Sequence, residues 1–192
     1  METYRLTEDE IKFLGRKYPY LKYNKDINII KGVIDFDLEF PSENSVRIKD
    51  KYSIEIDFSK VNDHTLPSIR ETDGKISNIA ERKKIPREDL HLNNKNGELC
   101  IIIPPKIKER YPNGFDLEEF LNHLEEHLYW VSYYDRYNKK PWPDYGHSEL
   151  GYLQLYLENK ILYSAAFKNE FGISSRPELR RKIKYLKRKY NL

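Results

Sequence analysis

The sequence predicts an α+β domain in which an antiparallel sheet comes first and helices follow. One observation is the alternation of apolar and polar residues with a period of two between residues 33 and 58. Another is an apolar stripe at helical spacing over residues 117–135. The order of the segments is the third, because parallel α/β folds alternate strands and helices along the whole chain, which this sequence does not do.

Composition sets limits on the class of protein. The 192 residues fit one domain, and 39% apolar residues with 14% aromatics can build a core. No apolar run approaches the roughly 20 residues that a membrane helix needs, so we expect a soluble protein without a membrane partner. The N-terminus lacks the pattern of a secretory signal, and a single cysteine cannot form a disulfide framework. These features predict a cytoplasmic protein.

The N-terminal segment predicts a helix over residues 7–18. Thr7 and Glu10 have the spacing of a capping box, in which each residue satisfies a backbone N–H of the first turn. Pro19 ends the pattern. The apolar residues between these signals lie at near-helical spacing and predict the buried side of the helix: Ile11, Phe13, Leu14 and Tyr18.

Two antiparallel strands are predicted over residues 33–40 and 52–58, where apolar side chains occupy every second position. A short third strand is expected at 67–71. Residues 72–90 carry mixed charge, a glycine and a proline, and show no clear periodicity, so we predict an irregular connection there. The sheet is therefore expected to be a half-buried meander.

A short apolar run, residues 99–103, precedes Pro104 and Pro105, and the double proline predicts an extended exit. Asp116 then offers an N-cap to a long helix over 117–135. The core-facing residues of this helix recur at spacings of three and four: Leu117, Phe120, Leu121, Leu124, Leu128 and Val131.

The C-terminal third predicts a proline-stiffened loop at 138–146 and helices over about 148–170 and 177–190. Eight of the last seventeen residues are Lys or Arg, although the net charge of the whole chain is only +3. We therefore divide the chain into a domain at 1–175 and a basic helical extension at 176–192.

Two segments carry a resemblance to a known family, one beginning at Pro67 with Pro-Ser-Ile-Arg-Glu-Thr and one running from His91 to Cys100. The order of helix, meander, proline-marked turn, cysteine after a Gly-x-hydrophobic step and crossing helix resembles the ubiquitin-conjugating enzyme superfamily. His91 and Asn93 match the first and last residues of that family's His-Pro-Asn motif. Leu92 replaces the proline, and the interval to the cysteine is one residue shorter than usual.

The segment from Trp142 to Gly151 is similar to a bacterial branch of this superfamily, found in antiphage operons of the CBASS type. There a stand-alone conjugating protein accompanies a cGAS-like nucleotidyltransferase. The resemblance covers residues 28–160 and implies a ubiquitin-conjugating-like (UBC-like) domain at 1–175. It implies as acyl donor that nucleotidyltransferase or another ubiquitin-like protein, and as acceptor a protein lysine or a small amine. Since no adenylating region fits beside this fold, activation belongs to a partner.

Cys100 is the one residue able to carry an acyl group as a thioester, because a thiolate attacks an activated carbonyl and an amine can later attack the thioester. The alternative is a small buried residue without reactivity, the usual state of an unpaired cysteine. The Asn-Gly-Glu-Leu approach and the Pro-Pro exit predict that Cys100 lies at a strand edge next to loops, which favours a functional thiol.

The resemblance implies three further catalytic residues. Asn93 matches the side-chain amide that stabilises the oxyanion formed by amine attack, although the same segment is typical of an Asn-Gly hairpin turn. His91 is expected to hold the loop by a backbone hydrogen bond rather than to carry a proton. His147 follows the crossing helix and can deprotonate the incoming amine as a neutral imidazole. The alternative for His147 is to cap the next helix together with Ser148.

Another enzyme class is suggested by His123, Glu126 and His127, which fit the H-x-x-E-H pattern of a zinc peptidase helix. A third protein ligand is not identifiable, and catalytic zinc normally has three. We therefore favour exposed histidines on a solvated helix face, and we predict neither a metal nor a cofactor.

The basic tail, Arg176–Lys189, is interpreted as an amphipathic helix that packs Leu179, Ile183 and Leu186 inward and keeps its cations in water. Docking on an acidic protein and phosphate binding are the alternatives, and a nucleic-acid partner is not expected. For the whole chain, two hypotheses stand: a conjugating enzyme, and a silent scaffold of the same fold that only presents a surface to partners.

Overall fold

A computed structural model of the protein describes residues 4–40, 46–61, 65–93 and 96–192. In these ranges four strands form one antiparallel sheet in the order β1-β2-β3-β4, which confirms the α+β class and the meander. The strands are β1 Leu21–Asn24, β2 Ile29–Leu38, β3 Ile48–Asp57 and β4 Ser68–Glu71. The α-helices are α1 Glu8–Lys17, α2 Lys75–Lys83, α3 Ile107–Arg110, α4 Leu117–Tyr137, α5 Glu149–Glu158, α6 Lys160–Glu170 and α7 Arg176–Lys189.

The predicted capping signals are present at the helix starts. The Thr7 hydroxyl accepts from the Glu10 backbone N–H, and the Glu10 carboxylate accepts from the Thr7 backbone, so α1 begins with the expected capping box. At the start of α4 the Asp116 carboxylate accepts from the N–H of Glu119 at 2.8 Å. Both helices are confirmed within two residues of the predicted bounds.

Strand prediction was incomplete at the N-terminal side of the sheet. The predicted third strand agrees with β4, but β2 and β3 each begin four residues earlier than expected and β1 was missed. β1 has only four residues, and its two inward positions, Leu21 and Tyr23, are too few for a periodic pattern. Pairing with β2 stabilises it, with Leu21 opposite Gly32.

The predicted irregular connection at 72–90 is wrong. It contains α2 and a 3₁₀ turn at Arg87–Leu90. Ile76, Ile79 and Ala80 are buried at spacings of three and one, but this short apolar stripe is hidden among charged residues in the sequence. Tertiary burial therefore stabilises a helix that the local pattern indicates only weakly.

Two further expectations need correction. The double proline does not leave in an extended conformation, because Pro104–Lys106 form a 3₁₀ turn, whose φ is close to the value that proline imposes. The single helix predicted over 148–170 is two helices, α5 and α6. Asn159 separates them, and its side chain accepts from the N–H of Leu162 at 3.0 Å as the N-cap of α6.

By compactness the chain forms two units. The first comprises residues 1–102 and 106–143, with a core of the sheet, α1, α2 and α4. The second comprises 103–105 and 144–192, and its buried residues come from α5, α6 and α7: Leu153, Phe167, Leu179 and Leu186. Division at residue 143 differs from the functional division at residue 175, which stays a prediction. Among the described residues no helix is long and apolar enough to cross a membrane.

Candidate functional site

Three of the four predicted site residues come together on a small hairpin. An isolated antiparallel bridge joins Leu92 to Leu99, and both leucines are buried. On one side of this bridge the Asn93 N–H donates to the Glu98 carbonyl at 2.8 Å. On the other side the Cys100 N–H donates to the His91 carbonyl at 2.9 Å. Cys100 directly follows the bridge and is not itself in a strand, whereas the sequence predicted a position at a strand edge next to loops.

Backbone hydrogen bonds connect the hairpin to β4, the last strand in the order of the sheet. The Leu99 N–H donates to the Ile69 carbonyl at 2.9 Å, and the Glu71 N–H donates to the Gly97 carbonyl at 2.8 Å. Gly97 has φ +81°, and a Cβ atom there would lie 2.1 Å from the Glu71 carbonyl oxygen. Only glycine fits this position without a shift of the backbone. Residues 94 and 95 of the predicted turn lie outside the described residues.

The His91 ring packs against α4. Its ring centroid lies 4.9 Å from that of His127 and 5.2 Å from that of Trp130, both times edge-on. His91 has φ +62°, a left-handed conformation that is uncommon for residues other than glycine. The predicted backbone bond at His91 is present, because its carbonyl accepts the Cys100 N–H. The catalytic assignment of His91 stays a prediction.

The Cys100 thiol is half-buried, and its Sγ lies 3.7 Å from the Ile102 carbonyl oxygen. Burial raises the pKa of the thiol, the hydrogen bond to Ile102 acts in the opposite direction, and the nearby Glu98 carboxylate raises the pKa further. At neutral pH the group is therefore the thiol and not the thiolate. Asn93, on the opposite arm of the hairpin, is exposed.

His147 belongs to the second unit and lies just before α5. Its backbone carbonyl accepts the Leu150 N–H at 3.2 Å, and its ring Nε2 atom is buried. Ser148 occupies the N-cap position, but its side chain makes no capping hydrogen bond. Side-chain capping by Ser148, part of the alternative interpretation of His147, is therefore wrong. The catalytic assignment of His147 is untested and stays a prediction.

The H-x-x-E-H residues of α4 contact three different groups. His123 Nδ1 and the Tyr111 hydroxyl are 2.8 Å apart, the Glu126 carboxylate accepts from Arg110 at 3.1 Å, and the His127 ring packs against His91. The pKa of His123 is lowered to about 4, mainly by burial and also by the Arg110 charge, while a hydrogen bond with the backbone of Ile101 acts in the opposite direction.

The expectation that these histidines are exposed is wrong, because His127 is buried and His123 is half-buried. α4 buries aromatic side chains as well as its leucine stripe, so a wider face of the helix is buried than the stripe alone predicts. Within the described ranges no group of three or more His, Cys, Asp or Glu side chains could hold a metal ion.

The basic tail is a helix with the predicted inward side. Leu179 and Leu186 are buried, and Ile183 is half-buried against the same cluster. Lys182 and Lys189 each contact the Glu149 carboxylate at 2.7 Å, so part of the positive charge is neutralised by α5. This acidic partner could not be predicted from the sequence, because no spacing rule links residues more than thirty positions apart.

The aromatic support of the hairpin was also missed. Trp130 follows His127 by three residues, which places both on one face of α4, and this spacing was the available signal.

Comparison with known proteins adds no assignment: no family model matches the chain, and neither curated proteins nor solved structures give a match. Chemically, the hairpin carries one half-buried thiol on one arm and one exposed amide side chain on the other.

Proposed function

We propose that this chain is a bacterial ubiquitin-conjugating-like protein of antiphage defence, with Cys100 as its acyl carrier. The observation that supports this best is the hairpin, since it groups Cys100 with His91 and Asn93 at the edge of an antiparallel meander that α4 follows. These are the residues and the order of elements that the family resemblance rests on. The C-terminus of a cGAS-like nucleotidyltransferase is the proposed donor, and a protein lysine or a small amine is the acceptor.

The reaction needs two acyl transfers. In the first, the Cys100 thiolate attacks the carbonyl of a C-terminus that a partner enzyme has activated as a thioester. The new C–S bond forms, and the partner's thiolate leaves. In the second, the acceptor amine attacks the Cys100 thioester, the C–N bond forms, and Cys100 leaves as thiolate while the amine gives its proton to a base, for which His147 is the candidate. The Asn93 amide is the candidate donor to the oxyanion between these steps.

The setting of the thiol supports a carrier more than a fast nucleophile. A thiol of raised pKa is a poor leaving group, because the leaving rate in acyl and disulfide exchange falls as the pKa of the departing thiol rises. The loaded thioester is therefore long-lived until an amine is positioned for attack. Loading in turn requires that the donor complex favours the thiolate.

The same burial favours a second candidate function, a silent scaffold of the same fold. In that case Cys100 is a small half-buried residue that contributes packing only. The two candidates differ in what the sulfur atom is for. A carrier needs the nucleophilic sulfur but tolerates a more polar atom in its place. A packing residue needs a small apolar side chain but no reactivity.

Co-expression with the neighbouring nucleotidyltransferase and its activating enzyme tests the proposal. Wild type should give a covalent species on denaturing gels that disappears with thiol reductant, and Cys100→Ala should give none. Cys100→Ser should convert the adduct into an oxygen ester that survives reductant, because a serine oxygen accepts the same acyl group. A reductant-sensitive adduct on the alanine variant would exclude Cys100 as the carrier.

The scaffold is tested on the protein alone. Placing an unpaired serine hydroxyl in an apolar site costs about 1–3 kcal/mol, so a packing cysteine predicts a clear loss of stability for Cys100→Ser. An accessible carrier predicts a small change in the urea-unfolding midpoint and a native thiol that reacts with iodoacetamide. A large loss of stability together with an unreactive native thiol would favour the scaffold.

A further inference from the structure

We infer that His127 and Trp130 of α4 are positioning residues for Cys100, acting through the ring of His91. The inference rests on the proposed function only in giving Cys100 a reaction to be positioned for. No contact of His127 or Trp130 with an acyl group is needed. Their role is to hold the backbone that carries the thiol.

The chain of contacts is short. His127 and Trp130 are both buried, and each places its ring edge-on to His91, at centroid distances of 4.9 Å and 5.2 Å. The His91 carbonyl then accepts the Cys100 N–H at 2.9 Å. Only one residue therefore lies between the rings of α4 and the backbone of the nucleophile.

The conformation of His91 explains why such support is needed. Its φ of +62° is the left-handed C-cap conformation at the end of the 3₁₀ turn Arg87–Leu90, and it costs histidine more than it would cost glycine. A residue held in a sparsely populated conformation persists only where its surroundings determine it. The backbone hydrogen bonds of the preceding turn and the rings of His127 and Trp130 contribute to that determination, and the conformation directs the His91 carbonyl at Cys100.

A second contact from α4 reaches the other side of the cysteine. His123, one helical turn before His127, shares a hydrogen bond with Tyr111 and interacts with the backbone of Ile101, which follows Cys100. α4 thus contacts the segment both before and after the thiol. This arrangement accounts for two histidines at a spacing of four without any metal, and it gives the H-x-x-E-H pattern a structural function.

The test is the alkylation of purified full-length protein by iodoacetamide, with the second-order rate constant measured from pH 6 to pH 10.5. In wild type the midpoint of the profile should lie above the ordinary cysteine value of about 8.5. His91→Asn keeps a residue that accepts the left-handed conformation but removes the ring. Trp130→Leu removes the indole ring that packs against His91.

Both variants should loosen the hairpin and admit water to the thiol, which moves the midpoint toward the ordinary value by about half a unit or more. They should also raise the rate at pH 8 at least about threefold, because more thiolate is present. Trp130→Phe keeps an aromatic edge at this position and should restore most of the wild-type profile. Such rescue is not expected if Trp130 only fills volume.

Tyr133→Leu is the matched control, since Tyr133 is a buried aromatic residue of the same helix whose ring packs on Tyr129 and Tyr137. It should lose stability and leave the alkylation profile unchanged. If Trp130→Leu proves too unstable to purify, His91→Asn and Trp130→Phe carry the test.

The inference is overturned if His91→Asn leaves the profile as in wild type, or if Tyr133→Leu shifts it as much as the His91 variant does. Alkylation needs no partner protein. A failure of Cys100 to accept an acyl group in co-expression would therefore overturn the proposed function and leave the positioning result unaffected.

Discussion

The Cys100 hairpin and the His147 segment are supported in different ways. Each depends on a glycine at a close backbone approach: a Cβ on Gly97 would lie 2.1 Å from the Glu71 carbonyl oxygen, and a Cβ on Gly151 would lie 2.2 Å from the Gly146 carbonyl oxygen. Beyond that, the hairpin is held by backbone hydrogen bonds and by aromatic rings of α4.

Polar side chains contribute to holding the His147 segment. The Gly146 N–H donates to the Gln154 side chain at 2.6 Å, and Glu149 at the start of α5 binds two lysines of α7. Partly exposed ion pairs are weakened by salt and contribute little each. The Cys100 segment is therefore fixed by desolvated contacts, whereas the contacts of the His147 segment include ion pairs that solution conditions can modulate.

The largest expected effect separates the two segments by their role in the reaction. His147→Ala should leave loading of Cys100 intact and slow transfer to an amine by about 10²–10⁴-fold, the usual contribution of a general base. Single-turnover decay of preloaded thioester with excess amine, measured across pH, reports this step. Transfer at the wild-type rate at neutral pH would remove His147 from the mechanism.

The next effect compares the two glycines. Gly97→Ala should lower the free energy of unfolding by about 2–4 kcal/mol, since a left-handed φ and a backbone clash both oppose a side chain. Gly151→Ala should also destabilise the protein. Urea unfolding and Cys100 alkylation measured together distinguish them, because only Gly97→Ala should change the reactivity of the thiol.

Gly15→Ala is the control for this pair. A Cβ at Gly15 in α1 meets no atom within 4 Å, so alanine should add about 0.5–1 kcal/mol of stability through its better helix propensity. An equal change of thiol reactivity in the Gly97 and Gly151 variants would contradict the separate support of the two segments.

The last prediction concerns acid. The pKa of His123 is lowered to about 4 in the folded protein, against about 6.5 when unfolded, so the unfolded chain binds more protons between these values. Stability from neutral His123 is complete well above pH 6.5 and is lost as the pH falls toward 4, on the order of 3 kcal/mol in total. His123→Gln should flatten this part of the pH dependence of urea unfolding. An unchanged slope would show that His123 is not desolvated.

The sequence was most informative where one residue acts through its immediate neighbours. Thr7 with Glu10 and Asp116 with Glu119 cap their helices as predicted, because capping is a contact over three residues. The meander and the position of α4 followed from periodicity. The helix boundary at Asn159 was not predicted, because the apolar helical pattern continues on both sides of it.

The candidate site was predictable as a set of residue types but not as an environment. The segment from His91 to Cys100 indicated a hairpin, and the pairing of Asn93 with Glu98 agrees with it. Burial of His127 and the ring contact with Trp130 depend on how α4 faces the hairpin, which no local pattern contains. The desolvation of Cys100 has the same origin, so its raised pKa could not be anticipated.

Desolvation of Cys100 also bears on survival under oxidants. Peroxide attacks the thiolate, and the resulting sulfenic acid is usually rescued by a second thiol. This sequence contains one cysteine, so no internal disulfide can form to intercept further oxidation to the irreversible acids. A thiol that stays protonated and half-buried at neutral pH is oxidised slowly, so the burial of Cys100 also protects it from peroxide.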